Sequence, residues 1–257
     1  MRAVLAALLT TLALSATPAA SARIAPTYVA VLDPGHGGEH DGAIGPTGAK
    51  EKDLALEITR RVAARLRRQG ALVLLTRERD EALELPARAA LANQAEADVF
   101  VSIHLNSMAT RAARGATHGV ETYFLSADAS DASANAVAAR ENADRLAGTA
   151  PDPANPVSAI LDDLWHVEAL AESSRLAHAL HARLVSSTGA ENRGVKQAPF
   201  VVLAGARMPS VLVEVGFVSH DTESRRLSDP AYQERIAAGI AEGIASFRAG
   251  LARASRP

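Results

Sequence analysis

Short apolar runs alternate with amphipathic helical segments along this sequence, and no other feature constrains its fold as strongly. The runs have the length of buried strands. They are YVAVLD (28–33), ALVLLT (71–76), DVFVSI (98–103), GVETYFL (119–125), FVVLA (200–204) and SVLVEVG (210–216). Helical periodicity runs from Asp53 to Gly70, from about Leu85 to Ala97 and from about Pro230 to Arg253. The alternation predicts a single α/β domain of three layers, in which helices flank a mostly parallel, twisted sheet.

The composition excludes several classes of protein. Of the 257 residues, 48% are hydrophobic and 22% charged, which is typical of a globular domain and not of a disordered chain. A formal net charge of -2 indicates no basic surface for nucleic acid, so we expect no nucleic-acid partner. Because the chain has no cysteine, any metal site must use His, Asp and Glu side chains.

Residues 1–22 have the pattern of a secretory signal peptide. Arg2 is followed by an apolar run over about 3–16, and Ala20-Ser21-Ala22 fits a small-residue cleavage site. The alternative is an N-terminal helix of the domain itself. We expect cleavage after Ala22, export to the periplasm and a folded domain over residues 23–257. No later apolar run approaches the ~20 residues that cross a bilayer, so no membrane span is expected after signal removal.

Side chains that can bind metal follow several of the predicted strands. His36 follows the first run by a Pro-Gly turn, His104 directly follows DVFVSI, and Glu214 lies at the end of SVLVEV. Glu51 starts the first helix after a glycine-rich loop. In α/β sheets, ligands bind at the carboxyl ends of the strands, so we expect these four side chains to share one edge. Taken singly, each has a structural alternative, such as a plain turn at His36 or a favourable helix-dipole contact at Glu51.

Two imidazoles and one carboxylate, with a position left open for water, form the ligand set of a catalytic zinc site. Zinc lowers the pKa of its bound water from ~15.7 toward ~7 and polarises a substrate carbonyl. A carboxylate that does not bind the metal can take the water's proton and deliver it to a leaving nitrogen. Glu214 is the candidate for this second role. The residues therefore indicate a zinc-dependent hydrolase.

Several motifs recur in a known order along the chain. They are DPGHGG (33–38), Asp41-Gly42-Ala43, EKDL (51–54), Thr76-Arg77, RAALAN (88–93), SIHLNS (102–107), GVETYFL (119–125) and EVGFVS (214–219). Together they resemble the zinc-dependent N-acetylmuramoyl-L-alanine amidases of the amidase type 3 family over essentially the whole chain after residue 22. The pattern departs from the family at His220, where asparagine is commoner.

The resemblance implies an activity and a set of site residues. The activity is cleavage of the amide between N-acetylmuramic acid and the L-alanine of the peptidoglycan stem peptide, in cell-wall remodelling and daughter-cell separation. The implied zinc ligands are His36, Glu51 and His104, and the implied catalytic glutamate is Glu214. A zinc peptidase or deacetylase acting on another cell-wall amide would use the same metal core. An inactive wall-binding regulator is a further alternative, which the retention of all four residues disfavours.

Residues from about 126 to 198 interrupt the alternation. They show helical patterns without a convincing strand and are divided by a proline-rich break at 151–156. Because this length exceeds an ordinary crossover, we expect a helical insertion near the active-site edge, where loops often act as lids. Glu141 on its first helix could take the open zinc position and inhibit the enzyme. The resemblance implies such a blocking helix and an activator protein that frees the site; the alternative is that these helices simply cover the sheet.

Overall fold

A computed structural model describes residues 28–144 and 164–254 as a six-stranded sheet flanked by helices. The strands are β1 (Val29–Pro34), β2 (Leu72–Leu75), β3 (Val99–Asn106), β4 (Val120–Leu125), β5 (Asn192–Ala198) and β6 (Ser210–Phe217). Their order across the sheet is β2-β1-β3-β6-β4-β5. Neighbouring strands are parallel apart from β4 and β6, which are antiparallel. The predicted α/β class and mostly parallel sheet are therefore confirmed.

Helices cover both faces of this sheet. They are α1 (Glu51–Arg68), α2 (Leu85–Gln94), α3 (Arg111–Ala116), α4 (Ala132–Glu141), α5 (Leu164–Thr188), α6 (Asp221–Leu227) and α7 (Pro230–Ala254). The alternating side chains of β3 show the two cores: Val101 and Ile103 pack with α1, α5 and α7, whereas Phe100 packs with α2 and α4. The three predicted layers follow from this alternation, because successive side chains of a strand point to opposite faces.

The first core also shows why the long helices form where the periodicity placed them. In α1, Leu54, Ile58, Val62 and Leu66 are buried at four-residue spacing. In α7, Ile236, Ile240 and Ile244 repeat at the same spacing and are fully buried. Residues four apart lie on one helix face, so each stripe buries against the sheet or a neighbouring helix.

Two local predictions are wrong. FVVLA (200–204) forms a 3₁₀ helix at Val201–Leu203, because Val202 and Leu203 are buried beside α2 and outside the sheet. The stretch 126–198 is not entirely helical, since it ends in β5. This strand lies at the edge of the sheet, and most of its side chains are only partly buried, so it has no apolar run.

Some predictions fall on residues that the structure does not describe. The signal peptide at 1–22 and the proline-rich break at 151–156 lie outside the described residues. Among the helices at 28–144 and 164–254, none has the length and apolar character needed to cross a membrane.

Candidate active site

The turn after β1 brings two histidine rings together. His36 has a φ of 58°, in the left-handed region that costs a non-glycine residue on the order of 1 kcal/mol. Gly35 precedes it, and a Cβ there would lie only 2.5 Å from Cε1 of His104. Because glycine leaves this space free, the two imidazole rings approach edge to face with centroids 4.9 Å apart.

Two buried arginines hold this turn in its strained conformation. Arg88 of α2 donates hydrogen bonds to Oδ1 of Asp33 at 2.8 Å and to the carbonyl of His36 at 3.0 Å. Arg77, after β2, donates to the carbonyl of Gly35 at 2.7 Å. A guanidinium has five donors in a rigid plane, so each arginine fixes several backbone oxygens at once. The backbone that carries His36 is thus positioned from two sides.

Glu51 is the first residue of α1 and is almost completely buried. Its Oε2 accepts a hydrogen bond from the backbone N–H of Ala43, and its Oε1 accepts one from that of Leu105, both at 2.9 Å. Gly42 allows the loop to pass close by, since a Cβ there would lie 2.7 Å from Oε2. These donors and the helix N-terminus stabilise the carboxylate and fix its direction.

Four buried ligand atoms converge at the carboxyl edge of the sheet. Oε1 of Glu51 lies 3.0 Å from Nε2 of His36 and 3.1 Å from Nδ1 of His104. Oε2 of Glu141 lies 3.3 Å from Nε2 of His36 and 3.0 Å from Nδ1 of His104. An ion with tetrahedral bonds of ~2.0–2.1 Å would hold its ligands about 3.3 Å apart. The four residues could therefore hold one metal ion.

Two buried ligand atoms in the cluster lack hydrogen bonds, as expected of atoms that bind a cation. Nε2 of His36 and Oε2 of Glu141 are buried atoms without a hydrogen-bond partner among the described residues. Buried polar atoms are normally paired, so two orphans that face one point indicate a ligand. Two carboxylates and two neutral imidazoles carry two negative charges, which match a divalent ion.

Without a cation, the cluster relies on protonated histidines. Burial disfavours the charged form of His36, but Glu51 and the other adjacent carboxylates outweigh burial and raise its pKa well above the ordinary value. The same balance raises the pKa of His104 to about 9. Burial opposes ionisation of Glu51, yet the neighbouring histidines lower its pKa to about 2. The imidazoles and carboxylates therefore hold opposite charges, which a bound cation would replace by displacing the protons.

Glu214 lies in β6 beside this cluster and is fully buried. It is the register partner of His104 in the neighbouring strand β3. Burial, reinforced by the charge of Glu141, raises the pKa of Glu214 well above its ordinary value. Its Oε2 makes no hydrogen bond with any residue in the described part of the chain. A buried carboxyl with a raised pKa is suited to accept a proton and give it back.

Helix α4 places three charged side chains in the site. Glu141, its last residue, completes the ligand cluster. Arg140 lies 3.5 Å from Oε1 of Glu214 through a guanidinium nitrogen. Asp144, just beyond the helix, lies 3.1 Å from Nδ1 of His36 and 2.5 Å from that of His40. The end of α4 thus contacts the ligand cluster, the buried Glu214 and the His36 loop together.

The fold and this site define an α/β protein with a buried cluster of two histidines and two glutamates that could bind a metal ion. The family described as N-acetylmuramoyl-L-alanine amidase matches residues 30–246. The chain belongs to this family, as its motifs predicted.

Known relatives extend over most of the chain. The N-acetylmuramoyl-L-alanine amidase AmiA of Escherichia coli (strain K12) is 38% identical, over 85% of this chain and 75% of that protein. A crystal structure of an N-acetylmuramoyl-L-alanine amidase from Clostridium difficile 630 has a TM-score of 0.66 and 29% identity, covering 86% of this chain and 97% of the other. The CwlD amidase of Clostridioides difficile was solved in complex with the GerS lipoprotein. It has a TM-score of 0.66 and 26% identity, and the match covers 87% of this chain and 99% of CwlD.

The structure brings together all five side chains that the sequence singled out. His36, Glu51, His104 and Glu141 form the ligand cluster, and Glu214 lies beside them. Sequence reasoning missed three further groups: the arginines that hold the His36 turn, Arg140 next to Glu141 on α4, and the polar side chains around Asn106. The motifs Thr76-Arg77 and RAALAN were the available signal for the first group, because each contains one of these arginines.

The departure at His220 has a structural account. This residue precedes α6, and its Nδ1 accepts hydrogen bonds from the backbone N–H groups of Thr222 and Glu223, both at 3.3 Å. It therefore caps the N-terminus of the helix, a position in which asparagine is also favoured.

Proposed function

We propose that this chain hydrolyses the amide between N-acetylmuramic acid and the L-alanine of the stem peptide, in cell-wall remodelling and daughter-cell separation. The observation that carries the proposal is the convergence of His36, Glu51 and His104 beside the buried Glu214, in a chain of the amidase family. Each of these residues belongs to a different strand end or helix start, so their meeting depends on the whole fold.

We infer that the metal is zinc, held by His36, Glu51 and His104. Nitrogen and carboxylate ligands in tetrahedral geometry are those that zinc prefers, and the spacing of the ligand atoms suits it. When bound, zinc would act as a Lewis acid that lowers the pKa of water and polarises the substrate carbonyl. The backbone donors on Glu51 orient its carboxylate for this purpose.

Glu214 carries the proton in the proposed reaction. It accepts a proton from the attacking water as oxygen adds to the lactyl carbonyl, and then gives that proton to the alanine nitrogen as the amide breaks. Its raised pKa allows it to hold the proton between these two steps.

The proposal includes control by α4. Glu141 occupies the fourth ligand position, and Arg140 reaches Glu214, so neither the water nor the substrate can enter while α4 is in place. A partner protein that withdraws α4 would activate the enzyme. The neighbour CwlD, solved in complex with the GerS lipoprotein, supports binding of a protein partner to this type of catalytic domain.

We propose that the enzyme acts outside the cytoplasm, most simply in the periplasm. The support is the charged start, apolar run and Ala-Ser-Ala order of residues 1–22, together with the location of the proposed substrate.

The reaction is tested by digesting purified peptidoglycan with zinc-loaded protein and analysing the products by mass spectrometry. Amidase activity releases complete stem peptides and leaves an intact, acetylated glycan. A peptidase would instead leave L-alanine on the glycan, and a deacetylase would remove acetate. Either result would replace the proposed function. The matched control is Glu214→Gln, which should retain zinc and release no peptide above background.

A further inference from the structure

We propose that Asn106 and the carbonyl of Ser107 form a subsite that accepts a hydrogen bond from the N–H of the scissile amide. This inference rests on the proposed amidase function, and it adds groups that position the leaving nitrogen beside Glu214. Asn106 is the last residue of β3, the strand that carries His104, and Ser107 follows it directly.

The orientation of the Asn106 amide is fixed by its neighbours. Asn106 is buried, and its Nδ2 donates a hydrogen bond to Oε2 of Glu121 at 2.7 Å. A carboxylate only accepts, so the amide nitrogen must face Glu121 and the amide oxygen must face the other way. That oxygen accepts from the backbone N–H of Ser107 at 2.7 Å and points to the side where Arg140 lies.

Glu121 is a positioning residue for this oxygen. It lies in β4, is almost fully buried, and is the register partner of Glu214 in the antiparallel pair. Its Oε1 accepts hydrogen bonds from Arg193 at 3.2 Å and from Lys196 at 3.1 Å. These two cations pair with the buried carboxylate, which would be costly to bury without partners. Glu121 therefore holds the Asn106 amide in one orientation.

The guanidinium of Arg140 occupies the position that we propose for the N–H of the scissile amide. Its guanidinium donates to the Ser107 carbonyl at 2.9 Å and to Oδ1 of Asn106 at 3.1 Å, and it lies 3.5 Å from Oε1 of Glu214. Three acceptors thus converge on one cation supplied by α4. When α4 withdraws, the Ser107 carbonyl loses the Arg140 donor, and Oδ1 of Asn106 keeps only the backbone N–H of Ser107. Because a carbonyl oxygen has two lone pairs, each acceptor can then take another hydrogen bond.

The scissile amide supplies a suitable donor at the same place. Glu214 can protonate the alanine nitrogen only if that nitrogen lies next to its carboxyl, which is where the Arg140 guanidinium now lies. Donation of the N–H to Asn106 and Ser107 leaves the nitrogen lone pair to develop toward Glu214. The C–N bond then breaks as the proton from Glu214 reaches nitrogen, and the hydroxyl of water stays on the carbonyl carbon. The released amine keeps its hydrogen bonds to the subsite.

The test compares an amide with an ester in the full-length chain carrying Arg140→Ala and Glu141→Ala. One substrate is a muramyl peptide; the other has L-lactate in place of L-alanine, so an ester oxygen replaces the scissile N–H. Asn106→Ala should lower kcat/KM for the amide roughly 10- to 100-fold, the range for loss of a buried hydrogen-bond partner. It should leave the ester nearly unaffected, because the ester has no N–H to donate.

Glu121→Gln tests the positioning residue in the same way. Lys196 and Arg193 favour an oxygen on their side, so the Gln nitrogen would face Asn106 and reverse its amide. The amide substrate should then lose rate while the ester does not. Tyr123→Phe is the matched control: Tyr123 also donates to Oε2 of Glu121, at 2.9 Å, but its loss leaves the Asn106 contact intact. Its amide-to-ester ratio should equal that of the parent.

A second measurement separates failure of the subsite from failure of the proposed function. The product peptide, with a free L-alanine amine, is titrated into each zinc-loaded variant by calorimetry, and Asn106→Ala should weaken its binding about tenfold. Equal losses on amide and ester in both variants, or unchanged peptide binding, would overturn the subsite. If the parent binds zinc and cleaves neither substrate, the proposed function fails, and the peptide titration still decides on the subsite.

Discussion

Replacing Glu141 by alanine should raise the basal rate of peptidoglycan hydrolysis. Its carboxylate contacts Nδ1 of His104 at 3.0 Å and Nε2 of His36 at 3.3 Å. Each contact brings the carboxylate to a cationic centre, whether a protonated imidazole or the bound metal, and an interaction with a charged group contributes about 1.5–3 kcal/mol. Because burying the carboxylate offsets part of the gain from two such contacts, we take the value of one as the net stabilisation of the closed state.

This free energy sets the expected change in rate. A shift of about 1.5–3 kcal/mol changes the ratio of closed to open molecules by roughly 10- to 150-fold. The basal rate should rise by that factor until the open state predominates. Arg140 still holds part of the site in this variant, so deletion of about residues 132–150 behind a short Gly-Ser linker should raise the rate further.

The assay is release of stem peptide from purified peptidoglycan without any partner protein, with bound zinc measured in the same samples. Asn135→Ala is the matched control, because Asn135 is exposed on the same helix and should leave the basal rate unchanged. An unchanged or lower rate for Glu141→Ala, in folded protein that retains zinc, would refute the argument that α4 inhibits the enzyme.

Further predictions concern the metal centre and export. His36→Ala should lose hydrolysis and most of the zinc measured by elemental analysis; stoichiometric zinc with activity would refute the ligand assignment. Glu214→Gln should retain zinc and lose roughly 100-fold or more of the rate, and near-normal turnover would remove Glu214 from the reaction. Gly35→Ala should weaken zinc binding, because its Cβ would lie 2.5 Å from the His104 ring; calorimetry checks this. N-terminal sequencing of periplasmic protein should begin at Arg23, whereas an intact Met1 would contradict cleavage.

The sheet and the ligand cluster were predictable because they depend on local pattern and one topological rule. Apolar runs gave β1, β3 and β6, and the carboxyl ends of strands in an α/β sheet share an edge. His36, His104 and Glu214 could therefore be placed at that edge without knowledge of strand order. Glu51 could be added because the loop before α1 returns to the same edge.

The errors arose where burial does not follow a periodic pattern. The run FVVLA is as apolar as a strand, yet it forms a 3₁₀ helix beside α2, outside the sheet. No local signal in the sequence distinguishes this buried 3₁₀ helix from a buried strand. Conversely, β5 pairs with one neighbour only, so backbone hydrogen bonds stabilise it without an apolar run. An edge strand can therefore lack the apolar run by which buried strands are recognised, as β5 does, although β2 at the opposite edge has one.

The polar contacts of α4 were the least predictable part of the site. Arg140 contacts Ser107 and Glu214, which are 33 and 74 residues away in the chain. In the sequence it is one charge on a helix of 10 residues, a length that is only marginally stable alone in water. The helix is stabilised instead by burial of Ala134 and Val137 and by its contacts with the site. It follows that an activator cannot simply pull α4 away as a preformed helix; we expect it to supply new contacts for the buried face, and so to bind α4 itself.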